Sequence, residues 1–157
     1  MVISRMSTHF EDGKAVMVDV SEKAATVRRA VAEAFVRLPP EVLESLKSGD
    51  TKKGDAVAVA ELAGVMAAKR TSELIPLCHP LPLTNVSVKG TVKNEGVRFE
   101  AICKTTAQTG VEMEAMTAVS VAALTLYDML KGISKGITIE KIQLLAKEGG
   151  KSGLWQR

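Results

Sequence analysis

Aromatic side chains make up only 3% of this sequence: three Phe, one Tyr and one Trp. So few rings leave little on which unpaired bases could stack, which excludes a single-stranded nucleic-acid platform. The net charge of +3 is equally modest; it tolerates an anionic small molecule but builds no basic stripe for a phosphate backbone. There are only two Cys and two His. Cys78 and His79 are adjacent, and no Cys-x-x-Cys or His-x-x-x-His pair exists, so no structural zinc site is expected. No long apolar stretch precedes Glu11 and Asp12, so no secretion signal is expected, and the thiols read as reduced in a cytoplasmic protein. The most apolar run, Ala115 to Leu130, is broken by Thr117, Ser120, Thr125 and Asp128. It falls short of the roughly 20 residues that cross a bilayer, so no membrane partner is expected.

What is present is an ordinary globular balance, 46% apolar and 25% charged, in 157 residues that suffice for one core. That core must be built from Ala, Val, Leu, Ile and Met. Residues 1–15 are polar and aperiodic and read as a loose arm, 16–148 as a single domain, and 149–157, with Gly149-Gly150-Lys151-Ser152-Gly153, as a flexible tail. Thr26 to Leu38 is ambiguous. Val27, Ala30, Val31, Ala34, Phe35 and Leu38 make a helical face, which pattern alone favours, while alternating Ala30, Ala32 and Ala34 fit a closely packed strand.

Pro39-Pro40 ends that segment, and a short helix over Glu41 to Lys47 should stop at Gly49. Asp55 is a good N-cap for an Ala-rich helix from Ala56 to about Leu74. Two strands follow, one through Val86, Val88 and Val92 and one through Val97, Phe99, Ala101 and Cys103, joined at Asn94-Glu95-Gly96. Gly110 to Gly132 reads as a long apolar helix, and Ile137 to Ala146 as a last strand with a slip in its alternation. If Thr26 to Leu38 is a strand, the order becomes β-α-β-β-α-β, the ferredoxin-like split βαβ sandwich.

The densest chemistry lies in Lys69-Arg70-Thr71-Ser72-Glu73-Leu74-Ile75-Pro76-Leu77-Cys78-His79-Pro80-Leu81-Pro82. Each Pro holds the residue before it out of the helical region, so Ile75 and His79 should lie in a shaped loop leaving a helix. On the long helix, Thr109-Gly110-Val111-Glu112 matches a capping box, Glu114 suits the dipole, and Lys131 before Gly132 suits the other end. Asp128 does not. It puts a carboxylate in the last turn, where the dipole disfavours it, three residues before Lys131. Leu124, Leu126, Tyr127, Met129 and Leu130 around it suggest a partly buried pair fit for proton transfer. Glu114 and Asp128 share one stripe but stand about 21 Å apart along the axis, so one site could use both only by joining two subunits. Lys52, Lys53, Lys69, Arg70, Lys147 and Lys151 read individually as solvated charges.

Residues 69–81, Gly-Val-Glu-Met-Glu-Ala (110–115) and Tyr-Asp-Met-Leu-Lys (127–131), taken together, resemble the molybdenum cofactor biosynthesis protein C family of cyclic pyranopterin monophosphate synthases. Met17-Val18-Asp19-Val20-Ser21, Lys53-Gly54-Asp55 and Gly150-Lys151-Ser152-Gly153 extend the resemblance from about Met17 to Gly153. It implies an α+β ferredoxin-like subunit, an antiparallel sheet with helices on one face, in which Thr26 to Leu38 is a strand. It further implies a homohexamer, a trimer of dimers with sites at dimer interfaces. The implied activity is that of a lyase, converting 3′,8-cyclo-7,8-dihydro-GTP to cyclic pyranopterin monophosphate and pyrophosphate. By the same resemblance Asp128, Lys53 and Lys131 are catalytic. Leu77, Cys78, His79, Met113 and Glu114 line the substrate pocket, with Glu112, Arg28, Lys147, Lys69 and Arg70 as further binding residues. No resident metal or cofactor is implied; any Mg²⁺ arrives with the triphosphate. Glu148 and Leu154 depart from the family pattern, both at the tail. A rival class, a non-catalytic ligand-binding module of the same fold, would leave Asp128 unexplained.

Overall fold

The computed structural model describes residues 9–157. Residues 1–8 of the expected arm lie outside the described residues. The rest of that arm forms a small exposed hairpin, β1 (Phe10–Glu11) with β2 (Lys14–Ala15).

Five antiparallel strands form the main sheet in the order β4-β5-β3-β6-β7, with β3 at Thr26–Arg37, β4 at Leu83–Lys93, β5 at Gly96–Ala107, β6 at Thr138–Glu148 and β7 at Trp155–Gln156. Helices α1 (Pro40–Ser48), α2 (Ala56–Ala68), α3 (Thr71–Leu74) and α4 (Glu112–Leu130) complete the chain. This is the α+β ferredoxin-like sandwich, with α2 and α4 covering one face of the sheet.

Thr26 to Leu38 is a strand, as the resemblance implied and against the helix that pattern alone favours: the segment forms the central strand β3. Ala30, Ala32, Ala34 and Val36 are all fully buried, so the decisive period is two. Flanked by β5 and β6, the strand satisfies its backbone across the sheet, and its small side chains let α4 lie close. The same alternation buries Val97, Phe99, Ala101 and Cys103 on β5. On the opposite face, Arg98 bonds Glu33 at 2.7 Å and Glu100 at 2.9 Å, and Arg37 bonds Glu140 at 2.7 Å. The exposed Arg37–Glu140 pair adds little, while the Arg98 pairs are partly buried; fully buried Phe99, Leu126 and Leu130 contribute about 1.5–3 kcal/mol each.

Local signals fix several boundaries. Gly49 takes the left-handed conformation (φ 75°) that ends α1, and the Asp55 carboxylate accepts from Ala58 N at 3.0 Å to start α2. The single helix expected to about Leu74 instead breaks after Ala68, because the Thr71 hydroxyl donates to the Ala68 carbonyl at 3.0 Å and tightens the turn. The slip in the last strand is a bulge, with Lys141 at φ 55° and shifted pairing to β3. The tail read as flexible ends in β7, where Trp155 pairs with Lys147 and Gln156 with Ala146. The departing Glu148 lies 3.4 Å from Arg29, while Leu154 is exposed.

The ends of α4 also differ from expectation. It begins at Glu112 with Val111 as N-cap and no side-chain cap, so Thr109 and Glu112 form no capping box. Lys131, in right-handed conformation, is the C-cap, and Gly132 has no left-handed φ. Helix α4 is long and apolar enough to cross a membrane by composition alone. Here its buried residues pack on the sheet and on α2, the place of a core helix.

Candidate active site

Asp128, Lys53 and Lys131 meet at the C-terminal end of α4. Lys53 comes from the turn before α2, which is closed by Gly54 N donating to Thr51 O at 3.1 Å. Its ammonium donates to the Asp128 main-chain oxygen at 3.1 Å and lies 3.8 Å from the carboxylate. Lys131 Nζ is 2.8 Å from the other carboxylate oxygen. The hydrogen bond and charge of Lys131, then the charge of Lys53, hold the Asp128 carboxyl below its ordinary range, and Asp128 in turn raises Lys131. At rest the shared proton therefore belongs to Lys131, and Asp128 stands as a carboxylate. The expected burial is corrected: Asp128 is 59% exposed, because Leu126 and Leu130 take the inward positions of the last turns.

A separate cleft of about 420 Å³ opens at the other end of α4. Leu77, Cys78, His79, Glu112, Met113 and Glu114 all line it. The loop 75–82 leaves α3 and lines the same cleft as the helix N-terminus, where Glu114 is only 4% exposed. Burial, with the nearby Glu112 charge, pushes Glu114 up to about 7, against its own backbone N–H, which lowers it. It thus holds a proton near neutrality and can give or take one. Burial and then Glu114 also raise Cys78, which favours the protonated thiol.

His79 Nε2 lies 2.6 Å from the carbonyl of Val18. A carbonyl only accepts, so that nitrogen carries a proton, and in the neutral ring Nδ1 is the acceptor. This bond ties the irregular segment 16–25 across the cleft, where Val18, Val20 and Lys23 form its outer wall with His9. Sequence reasoning gave none of these four a role. The supporting motif at 17–21 was the only signal, and it marked the segment without saying what it covers.

The remaining candidates scatter. Lys147 on β6 pairs with Glu112 at 2.8 Å, which is the partnership that replaces the capping box. Arg28 lies beside them in a small cavity shared with Gly110 and Glu112. Lys69 lines a different cleft with Leu83 and Asn85, touching the first through Leu81, and Arg70 is exposed at the start of α3. No three His, Cys, Asp or Glu side chains converge as metal ligands among the described residues.

Within this one chain, then, the Asp128, Lys53 and Lys131 cluster and the cleft occupy opposite ends of α4. Residues 17–150 match the model of the MoaC family. The chain is 58% identical over 149 residues to a cyclic pyranopterin monophosphate synthase of Nostoc sp., covering 93% of this chain and 89% of that protein. It is 56% identical to proteins of the same name from Thermomicrobium roseum (96% of this chain, 92% of that one) and Deinococcus radiodurans (95% and 89%).

Proposed function

The chain belongs to the MoaC family, and from that premise we propose that it is a cyclic pyranopterin monophosphate synthase, a lyase of molybdenum cofactor biosynthesis. Its substrate is 3′,8-cyclo-7,8-dihydro-GTP and its products are cyclic pyranopterin monophosphate and pyrophosphate. The observation that carries the chemistry is Asp128 held between Lys53 and Lys131.

Opening the imidazole part of the purine and reclosing it as a pterin moves several protons, and paired acid and base groups supply them. Lys131 donates, Asp128 accepts, and Glu114 and His79 hold protons in the cleft that takes the ring system. Closing the cyclic phosphate breaks the bond between the α-phosphorus and the bridging oxygen, and pyrophosphate leaves with the electron pair. Negative charge grows on that leaving group, and the ammonium of Lys53 and the guanidinium of Arg28 are suited to meet it. Mg²⁺, where used, comes in with the triphosphate and not on a protein cage.

In this reading the complete site joins the Asp128 end of one subunit to the Glu114 end of another. Two observations support it. The two residues are 14 positions apart on one straight helix, about 21 Å. The outer face of the helical layer also leaves Val59, Leu62, Met66 and Leu124 exposed, an apolar strip suited to a second copy. A cytoplasmic homohexamer built as a trimer of dimers satisfies both. The test is incubation of the pure protein with the cyclised GTP. Pyrophosphate and an oxidisable pterin are expected; substrate binding without either product would defeat the proposal.

A further inference from the structure

Two hydrogen bonds in series tie the outer wall of the Glu114 cleft to the sheet. The first starts on β5. Thr105 is completely buried and shares the helix-facing side of that strand with Cys103 and Ala107. Its hydroxyl donates to the Pro82 carbonyl at 2.7 Å. The second runs from His79 Nε2 to the Val18 carbonyl, at 2.6 Å. Thr105 itself does not line the cleft.

The local chain explains why a side chain is needed at this point. Pro80 and Pro82 carry no N–H to donate to a neighbouring strand. The pairing of β4 with β5 is also irregular there, since Leu83 opposes Thr105 while Asn85 opposes Lys104. The loop 75–82 therefore enters the sheet through prolines and a bulge, and the Thr105 hydroxyl fixes the entry. Its other end is held at α3, where Ile75 N donates to Thr71 O at 2.9 Å and Cys78 N to Ile75 O at 3.1 Å. Between these anchors each proline fixes its own φ and keeps the residue before it extended. The place of His79 then follows from that of Pro82, three residues on.

We propose that Thr105 is a positioning residue for the reaction: by holding Pro82 it sets where His79 stands in the cleft and, through His79, where segment 16–25 closes the outer wall. The proposal rests on the synthase reading for the reaction concerned. Thr105 acts only through His79, which carries Val18 and with it the wall residues Val20 and Lys23. A displacement of about 1 Å that starts away from the reacting atoms can cost roughly a hundredfold in rate.

The test compares Thr105→Val, which keeps the shape and removes the donor, with Thr105→Ser, which keeps the donor. The chain has two His, so proton–nitrogen NMR separates their ring N–H signals, and His9→Gln assigns them. The parent should show a slowly exchanging Nε2–H on His79. Thr105→Val should lose it, and turnover of the cyclised GTP should fall roughly ten- to a hundredfold while urea unfolding stays cooperative. Thr105→Ser should restore both. An unchanged signal or unchanged turnover in Thr105→Val overturns the proposal, as does a loss that Ser does not restore or a parent without the protected proton. If Thr105→Val does not fold, Thr105→Ala carries the same expectations; failure of both to fold makes the hydroxyl a requirement of the fold and overturns the positioning role. If the parent makes no pterin yet Thr105→Val loses the protected proton, the placement of His79 by Thr105 stands and the synthase reading falls.

Discussion

Lys53 donates to the main-chain oxygen of Asp128 at 3.1 Å while its charge lies 3.8 Å from the carboxylate of the same residue. The carbonyls of the last helical turn have no partner within the helix, and the dipole makes that end negative. Asp128 adds a further negative charge there. One ammonium from a turn 75 positions away answers both, and Lys131 answers the rest. A carboxylate in an unfavourable place is thereby kept ionised and aimed, which is what a base needs.

Asp128→Asn keeps the shape of the side chain and removes its charge and titratable proton. Turnover should fall about 10²–10⁴-fold with substrate affinity retained, the usual range for a general acid or base. Calorimetry and pterin fluorescence on the same two samples check it. Unchanged kinetics would reduce the cluster to a surface ion pair.

Lys53→Ala and Lys131→Ala should both fold normally, since each side chain is half exposed, and lose most turnover. The residual activity of Lys131→Ala carries a second signature. Lys131 is the largest cause holding the Asp128 carboxyl low, so its removal lets that pKa rise. The acid limb of the pH–rate profile should move to higher pH; a limb that stays put would assign it to another group.

Subunit mixing tests the shared site. Inactive Glu114→Gln and Asp128→Asn chains, exchanged into mixed oligomers, should regain part of the activity, because some interfaces then carry both intact groups. A fully active monomer by light scattering would end the shared-site reading.

Glu114 predicts a pH-dependent stability. Its folded pKa, about 7, lies above the ordinary 4.5, so between those values the native state binds more protons than the unfolded one. Stability should therefore fall as pH rises from about 4.5 to about 7, by roughly 3 kcal/mol if the whole shift is expressed. Urea unfolding at pH 5 and pH 8 should show that loss in the parent and lack most of it in Glu114→Gln. Equal losses in both proteins would mean that the carboxyl titrates as it does in the unfolded chain.

Gly64 marks the close approach of α2 to α4: an added Cβ would stand 2.9 Å from the Ala118 carbonyl oxygen and 3.1 Å from Val88. Gly64→Ala gains about 1 kcal/mol of helix propensity, but overpacking costs about 1–3 kcal/mol. A net loss is expected in urea midpoint, and a gain would show that the helices can separate freely.

The sequence by itself determined whatever depends on neighbours along the chain. Asp55 caps α2 and Gly49 ends α1 because one side chain or one φ decides each. The alternation Val97, Phe99, Ala101, Cys103 set β5, and the prolines at 76, 80 and 82 kept Cys78 and His79 in a loop. Asp128 stood out against the dipole, and its pairing with Lys131 followed from a spacing of three. Family resemblance assigned the cleft residues, which local pattern alone left as caps and surface charges.

Tertiary structure alone decided the rest. Segment 26–37 satisfies a helical and a strand period at once; resemblance implied the strand, and the strands on both sides of β3 and the helix above it are the physical reason for it. Glu112 gave up its capping role because Lys147 of β6 offered a charged partner, which no local window contains. Burial separated Glu114 from Asp128, two carboxylates on one helical stripe: the first is 4% exposed beside the 75–82 loop, while the second, between Lys53 and Lys131, is 59% exposed. Desolvation is a property of what packs around a group, so the near-neutral pKa of Glu114 could not be read from its position in the chain.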